Sequence, residues 1–323
     1  MDIFFEVPKD VKITSPSTDK LYDVIIAGSG PAGMTASVYC SRKKLDTLLI
    51  TKDVGGQVVW TSGIENYMGY QYITGRDLSE KFYQQIEQFP ISLLKDVGPC
   101  HLEKLENKFA VNCGEKKYYS KSVIVATGKR NRELGVNGEK ELLGRGVTYC
   151  SVCDAPLFKD KIVAIIGGGN SALTAAIDLI SYASKIFIIN ILDNLQGDEV
   201  FLDKIKNSNK AEIILSSEVS KIKGTEKVEG ITVKNRKTSQ IREIELDGVF
   251  IEVGLMPNSE FANNLLNMND QKEIVVDCNC KTSIDGIFAC GDVTAVLDKQ
   301  IIIACGEGAK AALSAYRYLL GIK

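Results

Sequence analysis

The sequence predicts an α/β protein of two nested Rossmann-like nucleotide-binding domains of the three-layer ββα type, and three observations carry that prediction. An apolar strand runs into a glycine turn and then a helix twice, at "VIIAGSGPAGMTASVYCSR" and at "IVAIIGGGNSALTAAIDLI". Each helix is followed by a second apolar strand in the order that a mononucleotide-binding unit requires. Two further strands, "VIVATG" and "GIFACGD", lie before and after the second unit, so the first unit is completed by chain that follows the second.

In the first unit the strand Asp23 to Ala27 leads to Gly28, Gly30 and Gly33, then to a helix over Ala32 to Arg42 and a strand over Thr47 to Thr51. Glycines at this spacing permit a tight turn and close backbone approach, so that the helix N-terminus faces a pyrophosphate. Thr51 and Lys52 stand where an acidic ribose ligand is usual, with Asp53 nearby. The strand Ser122 to Val125 ends in Ala126, Thr127 and Gly128. The second unit has a strand over Lys161 to Ile166, then Gly167, Gly169 and Ala172, a helix, and a strand over Lys185 to Ile189. That last strand runs into Asn190, Ile191 and Leu192, which are neither acidic nor basic. Near the end, Gly291-Asp292 places a carboxylate at the carboxyl edge of a sheet, where ligands of such sheets bind. Polar or glycine-containing links near Lys129 to Arg132 and Leu246 to Gly248 set the boundaries: an outer domain of 1–130 with 249–323, and an inner domain of 131–248.

At 323 residues the chain is long enough for two domains with their own cores. A net charge of −2 gives no polybasic field for nucleic acid or anionic membrane. No stretch has the length and apolarity to span a bilayer. The N-terminus is acidic early and lacks a signal-peptide pattern, so nine cysteines point to a reducing cytoplasm.

"TYCSVCDAPLF" holds Cys150 and Cys153 with Asp154 directly after. Two intervening residues let both sulfurs meet at a helix start, where a thiolate is favoured. Half of a zinc site is the alternative, but Cys278 and Cys280 have an awkward spacing and His101 is the sole histidine. A redox dithiol is the stronger reading, and no metal site is expected. Asp154 either passes a proton to a leaving thiolate or caps the helix. The remaining cysteines, Cys40, Cys100, Cys113, Cys278, Cys280, Cys290 and Cys305, read as small buried residues.

These motifs, with "GGQVVWTSGIENYMGY" and "KQIIIACGEGAKAA" in the same order, resemble the low-molecular-weight thioredoxin reductases and the related reductase portion of bacterial alkyl hydroperoxide reductase flavoproteins. The resemblance covers nearly the whole chain. It implies FAD in the discontinuous outer domain, with Gly28, Gly30 and Gly33 at the pyrophosphate, Gln57 and Asn66 on the flavin side, and Asp292 on the ribityl chain. Thr127 and Gly128 belong to the same cofactor-binding set, and Gln300 and Ile301 begin a helix that faces the flavin ring. As plain loop residues, Gln57 and Asn66 would need no ligand; Trp60 either packs near the flavin or anchors a loop. The resemblance further implies that reduced flavin opens the Cys150–Cys153 disulfide, whose dithiol then reduces thioredoxin or a thioredoxin-like protein. The same dithiol has to serve flavin and partner in turn, so the inner domain is expected to swing. A homodimer is the family habit.

NADPH-using members carry His-Arg-Arg and a later Arg after the strand that here ends at Ile189, because Arg forks onto a 2′-phosphate. This chain has no arginine from Ile186 through Ile205. Setting a phosphate against Ile191 and Leu192 would leave it unpaired. NADH-using relatives place a glutamate near Asn190, which leaves NADH open. The closest resemblance is to the ferredoxin-dependent flavin thioredoxin reductases of anaerobic bacteria, which keep the dithiol and have lost the nucleotide signature. Ferredoxin is therefore the favoured donor, then NADH, then NADPH. A ferredoxin–NADP reductase would not need Cys150 and Cys153, and a flavin-binding sensor or scaffold would not turn over.

Overall fold

The computed structural model describes residues 13–61, 63–262 and 265–322. The chain folds into two compact units, one of Met1–Arg130 with Met256–Lys323 and one of Asn131–Leu255. The outer unit begins with β1 (Leu21–Ser29), α1 (Pro31–Arg42), β2 (Thr47–Val54), α2 (Gly75–Ile86) and β3 (Ile91–Leu94). An antiparallel arm follows, β4 (Cys100–Lys104), β5 (Phe109–Cys113) and β6 (Lys116–Val125). The sheet order is β3-β2-β1-β6-β5-β4, parallel from β3 to β6 and antiparallel beyond it. Strand alternation sets the layers: Val24 and Ile26 face Met34 and Val38 of α1, while Ile25 and Ala27 face Phe109, Val111 and Tyr118 of the arm.

The inner unit repeats the plan. The chain enters through β7 (Lys129–Asn131) and forms β8 (Val147–Thr148), the one-turn α3 (Ser151–Asp154), β9 (Ile162–Ile166), α4 (Asn170–Ile180), β10 (Lys185–Ile189), α5 (Glu199–Asn207) and β11 (Ala211–Ile214). A meander of β12 (Ser217–Lys223), β13 (Gly230–Asn235) and β14 (Ile241–Glu245) precedes β15 (Gly248–Ile251). The parallel sheet runs β11-β10-β9-β15-β8. Val163 and Ile165 of β9 face the helices, and Ala164 and Ile166 face the meander. Such runs are buried on both faces, which is why they read as unbroken apolar strings.

The chain returns through β16 (Leu255–Pro257), and β17 (Ile287–Ala289) then lies parallel on β6, pairing Ile287 with Val123 and Ala289 with Val125. Helix α6 (Ile301–Leu319) packs on α1 so closely that a Cβ on Gly308 would sit 2.1 Å from the Ala32 carbonyl oxygen. One expected boundary moves. The strand Gly248–Ile251 pairs with β9, Phe250 opposite Ile165 and Ile251 opposite Ile166, so the return falls after Leu255 rather than at 249. An apolar strand after a glycine link reads alike whichever sheet receives it.

Candidate active site

The outer glycine turn joins β1 to α1. Gly28 has φ +104°, and a Cβ there would lie 2.3 Å from the Ala126 carbonyl oxygen at the end of β6. A Cβ on Gly33 would lie 1.9 Å from the Gly28 oxygen. These two glycines are required by packing of the turn on itself. Gly30 is different: a Cβ there meets nothing within 4 Å. The α1 N-terminus beside it has no side-chain cap and no acidic residue in its first turn. Ser29 is buried and its hydroxyl has no hydrogen-bond partner. Open space, uncapped amides and an orphaned hydroxyl are what a pyrophosphate group would satisfy.

Other outer-unit candidates gather near this turn or at the start of α6. Asn66 donates its amide to Gln300 Oε1 at 3.1 Å, which brings two of the expected flavin-side residues together. Gln300 stands at the N-cap position of α6 without a side-chain capping bond, and Ile301 is the first residue of the helix. The Gln57 amide donates to the Lys129 carbonyl oxygen. Thr127 donates its hydroxyl to the Asn258 carbonyl oxygen at 2.8 Å, and the Asn258 amide donates back to the Thr127 oxygen at 2.8 Å. Gly128 takes φ +67° beside them. Burial pushes the Asp292 carboxyl upward, and Lys299 and Lys129 pull it back only in part, since both are ion-paired to Glu273 at 3.5 and 2.5 Å. The Gly291 amide in the same turn donates to Glu307 Oε2 of α6 at 2.8 Å. Sequence reasoning missed Asn258 and Glu307; the visible signal for the latter was an acid inside the small-residue helix "ACGEGAKAA". The side chain of Trp60 lies outside the described residues.

In the inner unit Cys150 sits just before α3 and is disulfide-bonded. The side chain of Cys153 lies outside the described residues. The Cys150 amide donates to Thr148 Oγ1 at 3.1 Å, and that hydroxyl donates to the Asp154 carboxylate. Asp154 is thus tied through Thr148 to the backbone of Cys150. Helix α3 is a single turn of four residues that begins directly after Cys150. Between the cysteines, Ser151 is buried and donates to Asp178 Oδ2 of α4 at 3.2 Å. Burial raises the Asp178 carboxyl above the ordinary carboxylate range.

The inner glycine turn joins β9 to α4. Gly167 has φ +141°, and its Cβ would lie 2.2 Å from the Glu252 carbonyl oxygen at the end of β15. A Cβ on Gly168 would lie 2.4 Å from the Asn190 side-chain amide. Asn190 is 4% exposed, and its amide donates to the Asn194 carbonyl oxygen at 2.7 Å. It therefore fastens its own loop. The loop is tied down further by the Gln196 amide on the Gly168 oxygen at 2.7 Å and the Asp198 amide on Asn170 Oδ1 at 2.8 Å. Ile191 and Leu192 are 51% and 46% exposed, so a phosphate beside them would meet solvent as well as apolar surface. Ser171, in the first turn of α4, donates its hydroxyl to Glu252 Oε2. Burial, helped by the nearby Asp178, pushes the Glu252 carboxyl up to about 7.

Three cysteines depart from the reading of small buried residues. Cys100 and Cys113 face each other across β4 and β5 and form a disulfide, with neither fully buried. Cys278 is exposed, while Cys40, Cys280, Cys290 and Cys305 are buried free thiols. Among the described residues no cluster of three His, Cys, Asp or Glu has a geometry that holds a metal, and no helix is long and apolar enough to cross a membrane.

A ββα pair of nucleotide-binding units with a disulfide beside the inner turn defines the class of two-domain flavoprotein disulfide reductases. Residues 22–312 match the family model for pyridine nucleotide-disulphide oxidoreductases, and the chain belongs to that family. A thioredoxin reductase from Streptococcus pyogenes is 37% identical, with a TM-score of 0.81 over 94% of this chain and 99% of that one. A ferredoxin-flavin thioredoxin reductase from Clostridium acetobutylicum is 32% identical, with a TM-score of 0.51 over 93% of this chain and 98% of that one. An alkyl hydroperoxide reductase component from Staphylococcus aureus (strain MSSA476) is 38% identical over 300 residues, 93% of this chain. The chain spans only 59% of that curated relative's length. The cofactor of this fold is FAD, and the outer turn, Ser29 and Asp292 fit it.

Proposed function

We propose that this chain is a flavoprotein thioredoxin reductase whose flavin is reduced by ferredoxin, and whose Cys150–Cys153 dithiol reduces the disulfide of thioredoxin or a thioredoxin-like protein. The observation that carries the donor assignment is the inner turn. No arginine lies between Ile186 and Ile205, and a carboxylate, Glu252, is held by Ser171 at the first turn of α4. A 2′-phosphate would need arginines to receive it, and the pyrophosphate of any pyridine dinucleotide would approach the Glu252 charge at the α4 start. The likeness to the ferredoxin-flavin enzyme of Clostridium acetobutylicum supports the same reading. A protein donor also needs access to the flavin side, and the exposed Met68, Tyr72 and Leu297 neighbour Asn66 and Gln300 in sequence.

FAD, when bound, accepts electrons singly and delivers them in pairs, which is what a one-electron donor and a disulfide together require. The outer residues hold it: the α1 amides and Ser29 at the pyrophosphate, Asp292 at the ribityl chain, Asn66 with Gln300 on the ring side. In the inner unit one thiolate attacks the partner's disulfide, forming a mixed disulfide. The second cysteine displaces it, restoring Cys150–Cys153 and leaving a dithiol on the partner. Asp154, positioned through Thr148, supplies a proton to the departing sulfur. The inner unit reorients between the two exchanges, and the enzyme works as a cytoplasmic homodimer.

A second reading, NADH or less favourably NADPH as donor, draws on the family description itself and on Gly169, where a Cβ would meet nothing within 4 Å. Anaerobic titration of the FAD-loaded protein with NADPH, NADH and reduced ferredoxin, each followed by oxidised thioredoxin, separates the two. Bleaching of the flavin by ferredoxin alone, with reoxidation by thioredoxin, is the expected result; rapid bleaching by micromolar NADH overturns the donor assignment.

A further inference from the structure

The inner turn carries an acid that the general pattern of such turns does not call for. Glu252 follows the apolar strand "GVFI" and lies at the carboxyl edge of β15, next to the glycine turn. The Glu252 main chain fixes the turn, since its carbonyl oxygen is what a Cβ on Gly167 would strike at 2.2 Å. The Glu252 side chain turns back to the first turn of α4, where Ser171 donates to Oε2. A second carboxylate approaches the same helix start: Asp198 Oδ2 accepts from the Asn170 amide at 3.3 Å. Among the described residues, no salt bridge joins a lysine or arginine to Glu252 or Asp198, whereas Asp193 on the same loop is paired to Lys237 at 2.6 Å.

We propose that Glu252 determines donor specificity: its carboxylate, held by Ser171 in the first turn of α4, sets a negative charge beside the seat of a ligand's anionic group and weakens pyridine-dinucleotide binding at this turn. The physical basis is simple. A helix N-terminus attracts an anionic group to its free amides, and the carboxylate, bonded to the Ser171 hydroxyl and not to those amides, repels an anion that approaches them across a short, partly desolvated gap. Neither α1 nor α4 has a side-chain cap or an acid in its first turn, and the contrast lies beside them: the Ser29 hydroxyl of the outer turn has no partner, whereas Ser171 of the inner turn is bonded to Glu252. The glycines of the inner turn are then retained for packing: Gly167 against the Glu252 main chain and Gly168 against Asn190.

This inference extends the donor reading above, and the test keeps the two apart. The probes are ADP-ribose, measured by calorimetry on the FAD-loaded full chain at pH 8, and NADH, measured by flavin absorbance. The variants are Glu252→Gln, which keeps a hydrogen-bonding side chain without charge, and Glu252→Ala; flavin content and near-ultraviolet dichroism verify the fold. Both variants are expected to bind ADP-ribose at least about tenfold more tightly than the unmodified chain, a gain set by removing one like charge at short range. An unchanged affinity in both variants overturns the role of Glu252, whatever reduces the flavin. A gain for Ala without one for Gln overturns the charge argument, since bulk would then be the obstacle. Bleaching of the unmodified chain by NADH, together with a tenfold gain in the variants, removes the ferredoxin reading and leaves the assignment of Glu252 standing.

Discussion

The two glycine turns are near copies as backbone and differ in the side chains around them. In each, the first glycine has a positive φ and abuts a carbonyl oxygen at the end of a neighbouring strand, Ala126 for the outer turn and Glu252 for the inner. In each, the third position, Gly30 or Gly169, is extended into open space with φ −78° or −90°. What differs is the polar surroundings. Neither helix start has a side-chain cap, but the outer turn leaves a buried hydroxyl on Ser29 without a partner, whereas the inner turn spends Ser171 on Glu252 and Asn170 on Asp198. A glycine pattern therefore specifies a bend and a close packing; what binds there is decided by the side chains that the following strand ends supply.

The largest expected effect lies apart from both turns and serves as the reference for them. Cys150→Ser or Cys153→Ser is expected to lower thioredoxin reduction by roughly three orders of magnitude or more, while flavin content and flavin reduction by the donor stay intact. Turnover surviving either change would mean that electrons leave the flavin by another route. Free-thiol titration in denaturant gives a companion check. With Cys100–Cys113 and Cys150 oxidised, the free thiols are Cys40, Cys278, Cys280, Cys290 and Cys305, and a count rising from about five to the full nine on reduction is expected.

Next in size is a matched pair that asks each turn what it does. Gly30→Ala adds a Cβ with no backbone strain into the space facing the pyrophosphate, and should weaken FAD binding by at least about tenfold, read by release of flavin fluorescence. Gly169→Ala makes the same change at the inner turn and should leave flavin content and ferredoxin-driven turnover within about twofold. Should Gly169→Ala halt turnover with the cofactor still bound, the inner turn is in use and the contrast between the turns collapses.

Much of this was legible in the sequence, for physical reasons. Strands buried on both faces read as apolar runs, and glycines that hold a positive φ at a strand end cannot be replaced cheaply, so both turns announced themselves. The outer candidates Asn66 and Gln300 are 234 residues apart in the chain, yet hydrogen-bonded. Spacing alone could not join them; the resemblance of whole motif blocks did. Other features hid because their partners are set by tertiary pairing. Cys100 and Cys113 meet only because β4 and β5 fold as a hairpin centred near residues 106 and 107, and neither shows a motif. Glu252 was visible as an acid ending an apolar strand, but its contact with Ser171 depends on β15 lying beside β9.

Glu252 also gives the inner turn a pH signature. Its carboxyl is raised from 4.5 to about 7 by burial and by Asp178, so the folded state holds the proton more tightly than the unfolded chain does. Its contribution to stability is therefore fully present below about pH 4.5 and is lost as the pH rises through about 7. Glu252→Gln removes that loss and should stabilise the protein at pH 8 by about 1–3 kcal/mol, the lower end allowing for partial exposure, with little change at pH 4.5. Chemical denaturation at the two pH values measures it; equal stabilities at pH 8 would show that the carboxylate is well solvated, and would weaken its case as a fixed charge.

The smallest effect concerns Ile191 and Leu192. Both side chains are about half exposed, so Ile191→Arg with Leu192→Arg should change stability by no more than about 0.5 kcal/mol. These positions follow β10, where relatives that read a 2′-phosphate carry their cations, so the arginines restore half of what a nucleotide needs. The other half is the anion seat at α4, beside which the Glu252 carboxylate still stands. The double arginine variant alone should therefore show no measurable binding of 2′-phospho-ADP-ribose. Combined with Glu252→Gln, it should prefer that ligand over ADP-ribose by at least about fivefold, with the preference fading as salt rises. Binding by the arginine variant with Glu252 intact would show that missing cations alone distinguish the two turns, and that the carboxylate is incidental.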